Sequence, residues 1–177
     1  MEVAFVYDPF PVHLPFHMTK VREKAAIGAV GSGKTLALCA DAIGLALNQP
    51  GSRIMIARQT TPALRDTTET EFVNLLTQRP VDNDTATTLW ELCEPKRMAG
   101  HIDRIYFPNG SEVLFRSLVD WRKHMSLNLA AVYIDEASEI EYDAYNGLKT
   151  RLRQQQPTPM AREQGVKWDK SNIRQLI

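Results

Sequence analysis

Residues 26–47 read AIGAVGSGKTLALCADAIGLAL, placing Gly28 and Gly33 with four residues between them and Lys34 and Thr35 directly after. Few spacings constrain a chain as tightly. Glycines at these positions let successive backbone N–H groups curl around phosphates, while a lysine and a hydroxyl reach the outer phosphates and a Mg²⁺ ion. At ordinary residue frequencies the four fixed positions match by chance in fewer than about 1 in 100 chains of this length. The flanks agree with the motif. Before it, KAAIGA is a short apolar run suited to a buried strand; after it, Leu36, Ala40, Ile43 and Leu47 recur at helical spacing. Gly28, Ala29, Val30, Gly31, Ser32, Gly33, Lys34 and Thr35 are therefore the candidate nucleotide-binding loop.

A phosphate-binding loop binds a nucleotide, but cleaving one also needs an acid that organises Mg²⁺ and a group that orients water. LAAVYIDEAS, residues 129–138, offers both. Asp135 stands at the C-terminal end of an apolar strand, where ligands of open α/β sheets gather, and is assigned with the Thr35 hydroxyl to the Mg²⁺ shell. Glu136, next in sequence, is placed to polarise the attacking water. Taken alone, such a pair of acids also ends a strand and caps a helix. Beside the loop, they indicate a nucleoside triphosphatase using ATP and Mg²⁺.

The remaining pattern alternates strands and helices. The first 20 residues, rich in proline and aromatics, are expected to be extended rather than helical. RIMIAR is expected as a strand after a turn over residues 48–51. Thr61 is expected to cap, and Pro62 to open, a helix with Leu64, Thr68, Phe72 and Leu75 or Leu76 on one stripe. HIDRIYF and SEVLFRS flank Pro108-Asn109-Gly110, a strong hairpin signal. A turn or helix follows around residues 120–127, then the acidic strand, and a helix over about 142–153. QQQPTPMAREQG reads as linker and NIRQLI as the start of a further strand. The fold class expected is α/β, a mostly parallel sheet flanked by helices with an added antiparallel hairpin.

Composition narrows the class. With 177 residues, 44% hydrophobic, the chain can bury one sizeable core, and one domain is expected. It carries 21 basic and 21 acidic residues, so bulk charge makes no case for nucleic acid, although a few cations per subunit suffice to grip DNA. Cys39 and Cys93 lack metal-ligand or redox spacing, and Cys39 reads as a core thiol. No secretory signal and no run of about 18 apolar residues is evident, so a soluble, intracellular chain is expected.

RQTTPALRDTTETEF, FPNGSEVLFRSL, LAAVYIDEASEI and LKTRLRQ, in this order after GAVGSGKT, resemble the ATPase domain of large terminase subunits, the motors that package DNA into phage capsids. The resemblance covers nearly the whole chain. It implies a P-loop NTPase fold of the ASCE type, ATP-driven packaging of double-stranded DNA, a homo-oligomeric ring, portal protein and small terminase subunit as partners, and the host cell cytoplasm as location. By the same resemblance, residues 1–177 form a motor domain incomplete at its C-terminal end, without the family's nuclease domain and with no nuclease activity. Arg58 matches the arginine that ends the second strand in this family; its bland reading is a surface residue. His13 lies near the position of a glutamine that reads adenine, and it either takes that role or is an ordinary core histidine. Val30 departs from the family, where an arginine is common, so a phosphate-sensing arginine must come from elsewhere. DWRKHMSLN is the segment favoured for a donor reaching in from a neighbouring subunit, with Arg122 preferred to Lys123 because a guanidinium forks onto phosphate oxygens; its bland reading is an exposed arginine. Two other classes stay open: another ASCE translocase or helicase, and a nonhydrolysing nucleotide-binding module.

Overall fold

A computed structural model of the chain describes residues 3–169 and 175–177. A short strand β1 (Val3–Ala4) leads into a 3₁₀ turn (Pro11–His13) and helix α1 (Leu14–Met18). The expectation of an extended lead-in is thus corrected. Pro11 and Pro15 both occupy first-turn positions, where the missing N–H costs nothing and the fixed φ starts a helix.

After the loop come α2 (Lys34–Asn48), β2 (Arg53–Arg58), α3 (Thr61–Ala63), a π-helical turn (Leu64–Glu69) and α4 (Thr70–Thr77), the last three forming one continuous helical run. The cap is Thr60 rather than Thr61: its Oγ1 accepts from the Ala63 N–H at 3.4 Å. Next are β3 (Thr87–Thr88), which pairs with β1, and α5 (Leu89–Leu92), closed by a capping box between Thr88 and Glu91. β4 (Glu94–Met98), β5 (His101–Tyr106) and β6 (Glu112–Ser117) follow, then a 3₁₀ turn (Trp121–His124) and β7 (Ala131–Ile134). A 3₁₀ turn (Ala137–Glu139), α6 (Tyr142–Lys149), α7 (Pro159–Glu163) and β8 (Gln175–Leu176) complete the described chain.

The main sheet has the order β4-β5-β6-β2-β7-β8. β2 runs parallel to β6 and β7, β7 is parallel to β8, and the β4-β5-β6 side is antiparallel. This is the expected mixed sheet, with one strand more than the Asn-Gly hairpin implied: β4 enters through a turn at Ala99 and Gly100, both at positive φ. Alternation along β2 feeds two cores, Ile54 and Ile56 packing beneath α2 and α4, and Met55 and Ala57 packing with Val132, Leu148 and Leu152 on the opposite face.

Three further expectations are corrected. KAAIGA forms no strand. The chain meets the sheet just before and at the first residue of this run, where Glu23 bridges Leu176 in parallel and Lys24 N–H donates to Leu176 O at 3.2 Å, and residues 25–29 are exposed, with Ile27 at 98%. Three alanines and a glycine supply little strand preference, and the two described residues of β8 offer a short edge. The α6 helix stops at Lys149, because Arg151 O and Gln154 N turn instead to the Leu129 backbone at 2.9 and 3.2 Å. The segment read as linker is docked. Buried Gln154 bonds Arg53 N and Gly51 O at 2.8 Å each, and Thr158 caps α7 while donating to Gly110 O.

Candidate functional site: a phosphate-loop nucleotide site

The loop from Gly28 to Gly33 crosses from the edge of β8 to the N-terminus of α2, at the end of the sheet where β2, β6 and β7 terminate. Gly31 and Gly33 have φ of 76° and 77°, a left-handed backbone that favours glycine. Any side chain at Gly33 would also meet Phe10 at 3.0 Å and His13 at 3.1 Å. The N-terminal 3₁₀ turn therefore lies against the loop. His13 is buried there, edge-on to Phe10, and its Nδ1 has no hydrogen-bond partner. Val30 is fully exposed.

Lys34 Nζ donates to Gly28 O at 2.9 Å and to Ala29 O at 2.8 Å, so its ammonium bridges the mouth of the loop. Thr35, one residue on, donates from Oγ1 to Asp135 Oδ1 at 3.1 Å, joining two positions 100 residues apart. Asp135 is buried at the end of β7, its N–H bonded to Ala57 O of β2 at 2.9 Å. Its second oxygen accepts from Thr68 Oγ1 at 2.6 Å.

Glu136 follows in the left-handed region, with φ 53° and ψ 57°. Its side chain is exposed and makes no hydrogen bond or ion pair among the described residues. Arg58 ends β2 and is directed inward rather than to solvent, with a side chain 14% exposed. Its Nη1 bonds Thr67 Oγ1 and Ala63 O and lies 3.9 Å from Asp135 Oδ2, while its Nε is 3.8 Å from Glu139 Oε2. Arg58 thus belongs to the carboxylate end of the site, and its bland reading as a surface residue is corrected.

Arg122 is not brought to these groups within the chain. It sits exposed on the 3₁₀ turn after β6, with its guanidinium 4.7 Å from the Trp121 ring centre and no carboxylate partner among the described residues. That turn is fixed from behind. Trp121 lies over Gly147 of α6, where a Cβ would come within 2.3 Å of its ring, and His124 Nε2 lies 3.0 Å from Ser117 O. Burial depresses the pKa of His124 below its usual range, which keeps the ring neutral near pH 7 and suits it to donate to that carbonyl.

Two clefts border the loop. One, of about 310 Å³, is lined by residues including Gly28, Lys34, Asp135 and Glu136; the other, of about 430 Å³, by residues including His13, Gly28, Ser32 and Lys34. The oxygen donors Thr35 and Asp135 suit a hard cation such as Mg²⁺, which keeps several waters and takes few protein ligands. Among the described residues no group of three or more His, Cys, Asp or Glu could hold a metal ion by itself.

Residues 26–160 match the family model described as terminase large subunit, T4-like virus type, N-terminal. The chain belongs to that family. No curated protein matches it. Among solved structures, the Thermus phage P74-26 large terminase ATPase domain aligns at 19% identity and a TM-score of 0.52, covering 83% of this chain and 62% of that one. A mutant of the same domain gives a TM-score of 0.54 at 19% identity, covering 83% and 63%. A large terminase from a thermophilic bacteriophage aligns at 15% identity and a TM-score of 0.49, covering 70% of this chain. The chain spans 29% of the length of that terminase. The likeness to the Thermus phage domain shows that this terminase chain shares that domain's fold, a mixed, mostly parallel α/β sheet flanked by helices. No helix among its described residues is long and apolar enough to cross a membrane.

Sequence reasoning did not identify Thr68 as part of the site. The available signal was a hydroxyl on the otherwise apolar stripe of Leu64, Phe72 and Leu75, where an unbonded polar group is costly. The contact between Phe10 and the loop had no signal at all, since nothing in the spacing links an N-terminal aromatic to Gly33.

Proposed function

We propose that this terminase chain binds ATP with Mg²⁺ at the Gly28–Thr35 loop and hydrolyses it as the motor portion of a machine that packages double-stranded DNA. The observation that carries the reading is the 3.1 Å bond from Thr35 to Asp135, which unites the loop with the acid strand and leaves the Glu136 carboxylate free beside it. Loop N–H groups and Lys34 bind the phosphates, with Lys34 exchanging its two carbonyl partners for phosphate oxygens. Thr35 and Asp135 hold the Mg²⁺, whose charge offsets that of the phosphates. Glu136 orients a water and takes its proton as the water oxygen bonds to the γ-phosphorus and the bond to the bridging oxygen breaks, giving ADP and phosphate. Arg58 keeps positive charge beside Asp135, and His13, whose buried Nδ1 has no hydrogen-bond partner among the described residues, contacts the adenine in this reading.

Among the described residues no arginine lines the two clefts beside the loop, and Val30 cannot supply one. Arg122, carried on its turn without a carboxylate partner among the described residues, is suited to reach the site of a neighbouring copy in a ring. Portal protein, small terminase subunit and the host cytoplasm complete this reading.

Steady-state ATP hydrolysis with and without duplex DNA tests it; turnover stimulated by duplex DNA without strand separation is expected. Nucleotide binding with no turnover in an assembled ring would leave a binding module, and strand separation would indicate a helicase. Arg122→Ala is expected to spare ATP binding and to lower hydrolysis in the ring by about 10³–10⁵-fold. Excess Lys34→Ala subunits, which still carry Arg122, should restore part of the turnover. Absence of rescue in assembled mixed rings would count against donation from a neighbour.

A further inference from the structure

The π-helical turn places Thr67, Thr68 and Glu69, three consecutive residues, against three different structures. Thr67 Oγ1 accepts from Arg58, Thr68 Oγ1 donates to Asp135 Oδ2 at 2.6 Å, and Glu69 Oε1 accepts from Ile102 N of β5 at 2.9 Å. Such turns are rare and are frequently found at functional sites. Thr68 is wholly buried, and its own carbonyl accepts from Cys39 Sγ at 3.6 Å. Burial, then the nearby charge of Asp135, raises the Cys39 thiol well above its usual range, so it stays protonated as that donor.

The terminal torsion of an aspartate is broad and nearly two-fold, so packing alone does not decide which oxygen faces a ligand. Here the two oxygens are distinguished. Oδ1 faces the Thr35 hydroxyl, while Oδ2 is held by Thr68. Arg58 Nη1 stands 3.9 Å from Oδ2, too far for a hydrogen bond, and is itself retained by Thr67 and the Ala63 carbonyl. A guanidinium and a carboxylate that close pair strongly when nothing intervenes.

We propose that Thr68 is a positioning residue for Mg²⁺: its hydroxyl fixes the rotation of Asp135, keeping Oδ1 beside Thr35 for the metal shell and Oδ2 out of a direct pair with Arg58. The inference rests on the nucleotide-site reading above. Without the hydroxyl, Oδ2 loses its donor, and the carboxylate turns to Arg58.

The test measures ADP binding by calorimetry with and without Mg²⁺, so that no turnover is needed. Wild-type protein should bind ADP more tightly with Mg²⁺. Thr68→Val is expected to keep the metal-free affinity and to reduce that Mg²⁺ enhancement by about 10-fold or more, the usual consequence of losing a group that orients a metal ligand. Thr68→Ser should recover it, because the hydroxyl returns while the methyl does not. Thr68→Ala separates packing from bonding and should behave as Thr68→Val. Unchanged enhancement in a folded Thr68→Val would overturn the proposal. So would failure of both Thr68→Val and Thr68→Ala to fold, since the hydroxyl would then serve the fold rather than the metal. Failure of the wild-type protein to bind ADP in either condition would instead remove the nucleotide-site reading itself.

Discussion

The Asp135 carboxylate has both oxygens bonded by hydroxyls from two different helices, in a buried position tied by its own N–H to β2. Lys34, at the other side of the same site, is bonded among the described residues only to the carbonyls of a loop whose residues 25–31 are exposed. The acid side is thus assembled by the core, whereas the phosphate side is assembled by its own backbone. Ligand binding costs the two sides differently. A nucleotide arriving at the loop must replace two hydrogen bonds that Lys34 already makes, while the hydroxyl bonds around Asp135 need not break. Chemistry should therefore depend on the acid side and affinity on the loop, with fold stability almost indifferent to the loop.

Three substitutions probe that division. The largest effect is expected from Glu136→Gln, which keeps shape but loses the charge that accepts a proton. Turnover should fall by about 10²–10⁴-fold with nucleotide affinity nearly unchanged, as measured by steady-state kinetics beside calorimetry. A comparable fall in affinity would erase the distinction between the two sides. Lys34→Ala should weaken ATP binding by about 100-fold, the loss of charge-assisted bonds to phosphate, while the unfolding midpoint stays near that of the wild type. A large drop in thermal stability would show that the loop is built into the core after all. The smallest effect belongs to Val30→Ser. Its side chain is wholly exposed, so stability should change by no more than about 0.5 kcal/mol in denaturant titration.

Legibility in the sequence follows the same division. The loop, the acidic strand and the Asn-Gly hairpin were readable because each depends on local chemistry: positive φ at glycine, carboxylates at a strand end, a three-residue turn closed by Gly110. What escaped depends on contacts between distant segments. KAAIGA reads as a short apolar run, yet its alanines and glycine favour a strand little and its place beside β8 leaves residues 25–29 exposed. Residues 154–165 have the composition of a linker, yet Gln154 and Thr158 satisfy backbone groups at Gly51 and Gly110. Gly110 shows why that docking is close: at φ 76°, it sits where a Cβ would come within 2.5 Å of Ala161. Arg58 was legible as a strand end but not as an inward-facing group, because Thr67 and Thr68 turn toward it and Asp135 only through a π turn that no helical spacing announces.

Glu136 holds a left-handed backbone without being a glycine or an asparagine. For an ordinary side chain this conformation costs roughly 1–2 kcal/mol. Given the role proposed for Glu136, selection for robustness and selection for work pull in opposite directions at this one position. Asparagine tolerates the geometry better, so Glu136→Asn should raise the unfolding midpoint by a few degrees, about 2–4 °C per kcal/mol for a chain of this size. A library of variants screened only for survival of heating would then accumulate changes at Glu136, and the survivors would be sturdy and idle.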